Sequence, residues 1–311
     1  MEACRLFNRL VYFLVEKSLG NPKDIDPYVF LKIAATWGGR LCLVVFLCAV
    51  TVVTWVILFV IIPFEYSVST NPVLFGAKIV LFAFTFYNIM FHYYKARTLA
   101  PVKNAGVPHR DRFCLKCNTW KSPSTSHCKA CDACIYRMDH HCPHIGQCVG
   151  AHNQANFYLF LFYLLVGTAL FFLLAQSFWW KFYETRKMLM NIPEDQCWRL
   201  FCVNRFYNLF FSSYGYHDQA VKFSCFLFLL LHWIMWGFVG GYTYIISIGL
   251  TMAMRMFQKS DAESRKPFTW AVVKNRWRTY FNCRDESLWT VFLIPRTRPI
   301  VVYHDYKEMI I

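Results

Sequence analysis

Seven cysteines and four histidines fall between Cys114 and Cys148. Their order is Cys114-x2-Cys117-x9-His127-Cys128-x2-Cys131-x2-Cys134-x4-Asp139-His140-His141-Cys142-x5-Cys148, with His144 inside the last interval. A C-x2-C step sets two thiolates on one tight turn, within about 2.3 Å of a shared ion, and so lets a metal replace a core in a small irregular segment. Two tetrahedral sites need eight ligands, so three of these eleven side chains are left over. The most economical remainder is Cys142, His140 and His144. A thiol must lose its proton to become a nucleophile, a histidine can accept it, and a carboxylate can fix the histidine tautomer. Asp139, His140 and Cys142 have the types for such a nucleophilic set. The same spacing leaves a second reading open, in which Asp139 is a turn residue and Cys142 a spare metal ligand.

The surroundings must hold this cluster in place, and they are membrane-like. The chain is 57% hydrophobic and 19% aromatic, too rich for an ordinary soluble domain. Four apolar stretches are long enough to cross a hydrocarbon core of about 30 Å: Leu41–Pro63, Val73–Tyr94, Phe157–Trp180 and Phe223–Met254. About forty residues of mixed charge precede the first, so it reads as a retained anchor and not as a cleaved leader. Of 33 Lys and Arg residues, 26 lie in 1–40, 95–156 and 255–311, which four spans place on one side. The positive-inside rule makes that side cytosolic. The net charge of +15 therefore reads as a cytosolic face near anionic lipid, or as a seat for a polyanionic cofactor, and not as a nucleic-acid surface.

The predicted fold class is an α-helical polytopic membrane protein with a small cytosolic zinc-binding domain between its second and third transmembrane helices. Segment 1–40 is cytosolic, 41–94 holds helices 1 and 2, and 95–156 is the cysteine-rich domain. Residues 157–254 hold helices 3 and 4 around a lumenal loop at about 181–222, and 255–311 form a cytosolic tail. The insert has no sustained helical or alternating period, and no internal repeat is evident. Its cysteines face a reducing compartment, which points to metal and not disulfides, whereas Cys197 and Cys202 in the lumenal loop are read equally as a disulfide or as free thiols.

Asp139-His140-His141-Cys142 within this cysteine spacing, followed by Asn153 and Phe157, resembles the cysteine-rich domain of the DHHC protein S-palmitoyltransferase family. The likeness is close over about fifty residues, and the four-span layout is similar as well. It implies two structural zinc ions, one held by Cys114, Cys117, His127 and Cys134 and the other by Cys128, Cys131, His141 and Cys148. It implies that Cys142 takes a fatty acyl group from an acyl-CoA such as palmitoyl-CoA and passes it to a substrate cysteine, with His140 as general base oriented by Asp139. The partners implied are proteins with membrane-proximal cysteines, acyl-CoA and the bilayer, with no nucleic acid. The location implied is an endomembrane, endoplasmic reticulum or Golgi, with both termini cytosolic.

Three further positions follow from the resemblance. Lys121 stands where a basic residue faces the coenzyme phosphates. His144 replaces the tryptophan that packs near the acyl thioester. Gly167 lies about 15 Å into the third span, at a depth suited to the acyl chain, although a glycine there also suits close helix packing. The sequence departs from the family at Gln147 for Asn, at Ser124 for Arg, at Asn104-Ala105-Gly106 for Asp-Pro-Gly, and at Asp261-Ala262-Glu263, a poor substitute for the motif after the fourth span. Asn282 is matched to the family's tail asparagine. The competing readings are an inactive zinc-stabilised membrane scaffold, which Cys142, His140 and Asp139 argue against, and a transporter, for which Lys78 and His232 are the ionisable candidates.

Overall fold

The computed structural model describes residues 27–102, 112–122, 125–175, 216–249, 268–283, 286–297, 301–304 and 307–310, with isolated positions 177, 180 and 184. Asn104-Ala105-Gly106, Ser124, the Cys197 and Cys202 pair and Asp261-Ala262-Glu263 lie outside the described residues. Four helical stretches are long and apolar enough to cross a membrane: Lys32–Val68, Pro72–Thr98, Gln154–Leu174 and Phe226–Ile248. Large apolar side chains such as Phe59, Val80, Trp233 and Trp236 point outward from them, the arrangement that hydrocarbon and not water rewards. The chain is a multi-pass helical membrane protein.

The first span is one rod, built from α1 (Pro27–Val56), a π-helical turn (Ile57–Ile61) and α2 (Ile62–Val68). Pro63 explains the turn, since it has no N–H to continue the ladder and the widened turn just before it absorbs the mismatch. Helix α1 begins well before the apolar run at Leu41, because hydropathy marks what enters lipid and not where a helix starts. After a short corner, Asn71 caps α3 (Pro72–Thr98), its side chain accepting from the Leu74 N–H at 3.0 Å, with Pro72 next to it at the first helical position. Lys95 and Arg97 occupy the last turn of α3, where cations suit the negative helix end.

Helix α4 (Gln154–Leu174) packs along both α3 and α5 (Tyr216–Ile248) and is the most buried of the four spans. Helix α5 stops at Gly249, whose φ of 75° suits glycine, and a Cβ there would lie 2.9 Å from Nε of Arg276. That arginine donates from Nη1 to the Ser247 carbonyl at 2.8 Å, satisfying an end of α5. It belongs to α6 (Trp270–Tyr280), which α7 (Leu288–Leu293) and a hairpin of β7 (Val301–His304) and β8 (Lys307–Ile310) follow. Numbered in chain order, these tail strands come after six in the insert.

Between α3 and α4 stand three two-stranded antiparallel hairpins: β1 (Arg112–Cys114) with β2 (Thr119–Lys121), β3 (Thr125–Cys128) with β4 (Ala133–Tyr136), and β5 (His140–Cys142) with β6 (Gln147–Val149). Their first strands end at Cys114, Cys128 and Cys142, fourteen residues apart each time, and each is followed by a four-residue turn. The last turn residue is left-handed in all three, Asn118 at φ 49°, Asp132 at 52° and Gly146 at 67°. The insert thus carries a threefold repeat of a turn. The sequence alone hides it because only the cysteine and the left-handed position recur, and the latter is filled by Asn, Asp and Gly in turn.

Candidate active site and metal centres

In the first two hairpins the turn carries a pair of cysteines that could hold a metal ion. The ligand atoms of Cys114, Cys117, His127 and Cys134 lie within 4.8 Å of one another, and so do those of Cys128, Cys131, His141 and Cys148. Nδ1 of His127 sits 3.6, 3.2 and 3.9 Å from the sulfurs of Cys114, Cys117 and Cys134. Nδ1 of His141 sits 3.7, 3.3 and 3.8 Å from those of Cys128, Cys131 and Cys148. Bonds of 2.0–2.3 Å to a tetrahedral ion would put its ligands about 3.3–3.8 Å apart, so both sets fit zinc. The two sets interleave. One hairpin supplies its knuckle pair, and the next supplies the histidine just before its own first cysteine and the cysteine six residues after it.

By that rule the third hairpin completes the second set through His141 and Cys148 and then opens a third with Cys142. Ile145 occupies the place of the second knuckle cysteine and is buried in the core beside Cys142. Of the seven cysteines in the insert, Cys142 alone belongs to neither set. Strand alternation explains the division of labour in this motif: His140 and Cys142 share one face of β5, while His141 points to the other face, where it joins the metal set with Cys148, its partner across the hairpin.

On the Cys142 face, Nδ1 of His140 lies 2.9 Å from Oδ2 of Asp139, and Asp139 is pinned by its backbone N–H to the Val149 carbonyl at 2.8 Å. Burial works against ionisation of the Cys142 thiol, but the His140 imidazole and the backbone N–H groups of Ile145 and His144 outweigh it and hold the thiol below the ordinary cysteine range. Burial also disfavours the charged form of His140, yet its bonds to Asp139 and Cys142 prevail and push it up to about 9. Shifts in these directions are those of a thiol and an imidazole that favour each other's charged form. Cys142 is 4% exposed and caps an apolar cluster that includes Tyr93, Phe157, Leu161, Met235 and Val239 from three spans.

Tyr242, on α5 a hundred residues further along the chain, was not visible as a site residue in the sequence. Its hydroxyl donates to Oδ2 of Asp139 at 2.9 Å and lies 3.4 Å from Nδ1 of His140. Phe157 lies edge-on to both rings, 5.5 Å from His140 and 5.7 Å from Tyr242. Asn153 ties the domain to the membrane helices, donating to the carbonyls of Ala96 at 2.8 Å and Cys148 at 3.1 Å and accepting from the Gly150 N–H. Gln147 also donates to the Ala96 carbonyl.

The remaining positions singled out in the sequence are spread more widely. Lys121 is half-buried on β2, in the first hairpin, opposite Arg112. His144 is an exposed turn residue whose carbonyl accepts from the Tyr93 hydroxyl at 3.2 Å. Gly167 faces α3, and a Cβ there would come within 3.1 Å of Ile89 Cδ1 and 3.6 Å of Thr85 Cγ2, which is the close helix contact of the packing alternative. His232 is fully engaged, with Nδ1 2.8 Å from the Thr168 hydroxyl and Nε2 accepting from Trp236 Nε1 at 3.1 Å, as in a satisfied bundle histidine. Asn282 is left-handed just after α6, at φ 51°, a helix-ending position.

Residues 107–259 match the family described as DHHC palmitoyltransferase. This stretch, just under half of the chain, carries the likeness to the DHHC family. It is 42% identical over 76 residues to the palmitoyltransferase PFA3 of Debaryomyces hansenii, covering 24% of this chain and 19% of that protein. It is 50% identical over 60 residues to the probable protein S-acyltransferase 13 of Arabidopsis thaliana, covering 19% of this chain and 20% of that protein. With the human palmitoyltransferase ZDHHC18 it shares 46% identity over 61 residues, 20% of this chain and 16% of the relative. The matched stretches therefore span at most a fifth of the length of these relatives, and they concentrate the DHHC likeness in a segment the size of the hairpin domain.

Proposed function

We propose that this chain is a protein S-acyltransferase that carries a long-chain fatty acyl group from acyl-CoA, through a thioester on Cys142, to cysteines of substrate proteins. The observation that carries this reading is the placement of Cys142. It alone among the insert's cysteines is outside both metal sets, and it lies beside a histidine bonded to a buried carboxylate, over an apolar cluster between the spans.

Asp139 holds His140 through Nδ1, which leaves the other ring nitrogen to take the proton of Cys142. The Cys142 sulfur attacks the thioester carbonyl carbon, the bond from that carbon to the coenzyme sulfur breaks, and the leaving coenzyme thiolate recovers the proton from His140. In the second half an acceptor thiol gives its proton to His140 and attacks the acyl carbon on Cys142, whose thiol is restored. No redox change occurs in either half. A sixteen-carbon chain gains about 0.8 kcal/mol per buried methylene, so a nucleophile set directly over an apolar bundle receives the thioester where its chain enters the bilayer.

Two zinc ions are proposed as the occupants of the eight-ligand pair of sites. With all four positions of each filled by protein, they would supply folding free energy and no chemistry. Lys121 and His144 are proposed to meet the coenzyme and the region of the thioester. The basic segments are proposed to face the cytosol, with both termini on that side, in an endomembrane. The proposed partners are proteins with cysteines near the membrane surface. An inactive scaffold is not favoured, since Asp139, His140 and Cys142 are all in place.

Incubation of the purified chain in lipid nanodiscs with palmitoyl-CoA should give a hydroxylamine-sensitive adduct on Cys142 that is chased onto an added cysteine peptide. An adduct on other cysteines only, or none, would remove this reading. Gly167→Phe tests the two readings of that glycine, and overpacking against Ile89 predicts a similar loss with donors of every chain length. A loss confined to long donors would place Gly167 at the end of an acyl cavity.

A further inference from the structure

We infer that Arg97, at the end of α3, is an anion-binding residue of the nucleophile's site and takes a negatively charged oxygen of the acyl donor. The inference rests on the acyltransferase reading above. Its geometric basis is the turn Cys142–Gly146, in which the Gly146 N–H returns to the Cys142 carbonyl at 3.0 Å. Gly146 is packed from two sides. On one side Gly39 of α1 approaches so closely that a Cβ on it would lie 2.9 Å from the Gly146 Cα. On the other side stands the Arg97 guanidinium, since a Cβ on Gly146 would meet Nη1 at 3.2 Å, Nη2 at 3.5 Å and Cζ at 3.6 Å. The two terminal nitrogens are the nearest atoms, so the end of the guanidinium rests against the turn.

Nη1 of Arg97 is buried and has no hydrogen-bond partner among the described residues. A buried, charged donor left without an acceptor costs more than a cation at a helix end returns, so the helix end accounts for the residue type but not for this placement. Among the described residues no carboxylate forms an ion pair with it. The Tyr93 hydroxyl is hydrogen-bonded to the Arg97 side chain and donates to the His144 carbonyl in the same turn. The guanidinium therefore offers Nη1, over the turn that begins with Cys142, to an acceptor that the described residues do not supply. Guanidinium suits planar, two-pronged contact with phosphate or a carbonyl-derived oxyanion better than an ammonium does. Gly146 has two reasons to be glycine, its positive φ and the room it leaves for Arg97.

An acyl-CoA brings two oxyanions of this class to Cys142, the diphosphate and the thioester oxygen during attack. Donors with and without phosphate separate them. Acyl loading of the wild type, Arg97→Gln and Arg97→Lys would be compared with palmitoyl-CoA and with palmitoyl-N-acetylcysteamine, alongside binding of free coenzyme A to Cys142→Ser with and without Arg97→Gln. Zinc content and thermal melting of each variant would report folding. A phosphate contact predicts that Arg97→Gln raises KM for palmitoyl-CoA on the order of 10- to 100-fold and weakens coenzyme binding by a similar factor, with the truncated donor unaffected and Arg97→Lys in between. Contact with the thioester oxygen predicts a comparable fall in loading rate with both donors and unchanged coenzyme binding. Either result would support the inference. Unchanged kinetics and binding in a folded Arg97→Gln chain would overturn it, as would losses that merely track zinc release. Failure of the wild type to load would instead overturn the acyltransferase reading on which it rests.

Discussion

The first two hairpins of the insert and the third share one turn and put it to different uses. In each, a cysteine at the end of the first strand faces backbone N–H groups from the turn: the Cys131 N–H donates to the Cys128 sulfur at 3.3 Å, and the N–H groups of His144 and Ile145 act on Cys142 in the same way. The first two hairpins add a second cysteine three residues on and, with side chains from their neighbour, complete a set that could hold a metal ion. The third has Ile145 at that place and no fourth hairpin to follow. In the proposed reading, a turn that suits a thiolate to a metal is thereby left holding a thiol free to react, with His140 beside it instead of an ion. The same local geometry yields a structural ligand or a nucleophile according to one side chain and the presence of a neighbour.

The strongest challenge to this contrast is to remove single ligands from the proposed metal sets. Cys131→Ser and His141→Ala should release metal and unfold the insert, since a structural zinc contributes on the order of 10 kcal/mol or more to folding. Limited proteolysis and metal analysis would show it, and activity would be lost as a consequence. A folded, metal-replete Cys131→Ser chain would dissolve the distinction between the hairpins.

His140→Ala should leave the metals in place and lower acyl loading by about 10²- to 10⁴-fold. The pH dependence has a definite sign. With His140 present the thiol is held below its ordinary range, so loading of the wild type should reach its plateau at a lower pH than that of the variant. Without His140 burial still opposes ionisation of the thiol, so loading by the variant should climb as pH rises into the alkaline range. A loss that stays flat with pH and accompanies zinc release would move His140 into the metal shell.

Conversion in the other direction sharpens the comparison further. Ile145→Cys gives the third hairpin the second thiol of a knuckle, and added zinc should then protect Cys142 from alkylation reversibly, with Ile145→Ala as the packing control. Equal alkylation of both variants with and without zinc would show that the third turn is not a knuckle in this sense. The smallest effect is expected at Tyr242. Tyr242→Phe removes one donor from Asp139 while Asp139 keeps its bond to His140, so loading should fall about five- to tenfold at neutral pH with zinc content unchanged. A null effect would confine Tyr242 to packing.

Much of this was legible in the cysteine spacing, because metal ligands must sit at fixed steps on tight turns and the count leaves Cys142, His140 and His144 over. The helical membrane fold was legible in four apolar runs. What escaped has physical causes. Tyr242 reaches Asp139 only because α5 packs beside the hairpin domain, and nothing within the motif points to a residue a hundred positions away. Arg97 was only one of the basic residues of 95–156 in the sequence, and its position over Gly146 depends on how α1 and α3 meet the third turn. The knuckle repeat was hidden because Ile145 and Gly146 stand where the other turns have cysteine followed by Asn or Asp. Hydropathy also extended the fourth span to Met254, whereas α5 ends at Ile248, where left-handed Gly249 and the packed Arg276 stop it.

The claim that Cys142 is a nucleophile outside the metal sites meets its most direct test in one preparation of Cys142→Ser, measured for zinc per chain and for hydroxylamine-sensitive acyl label. Two zinc ions and no label are predicted. Persistent label, or zinc loss matching that of Cys131→Ser, would contradict the account.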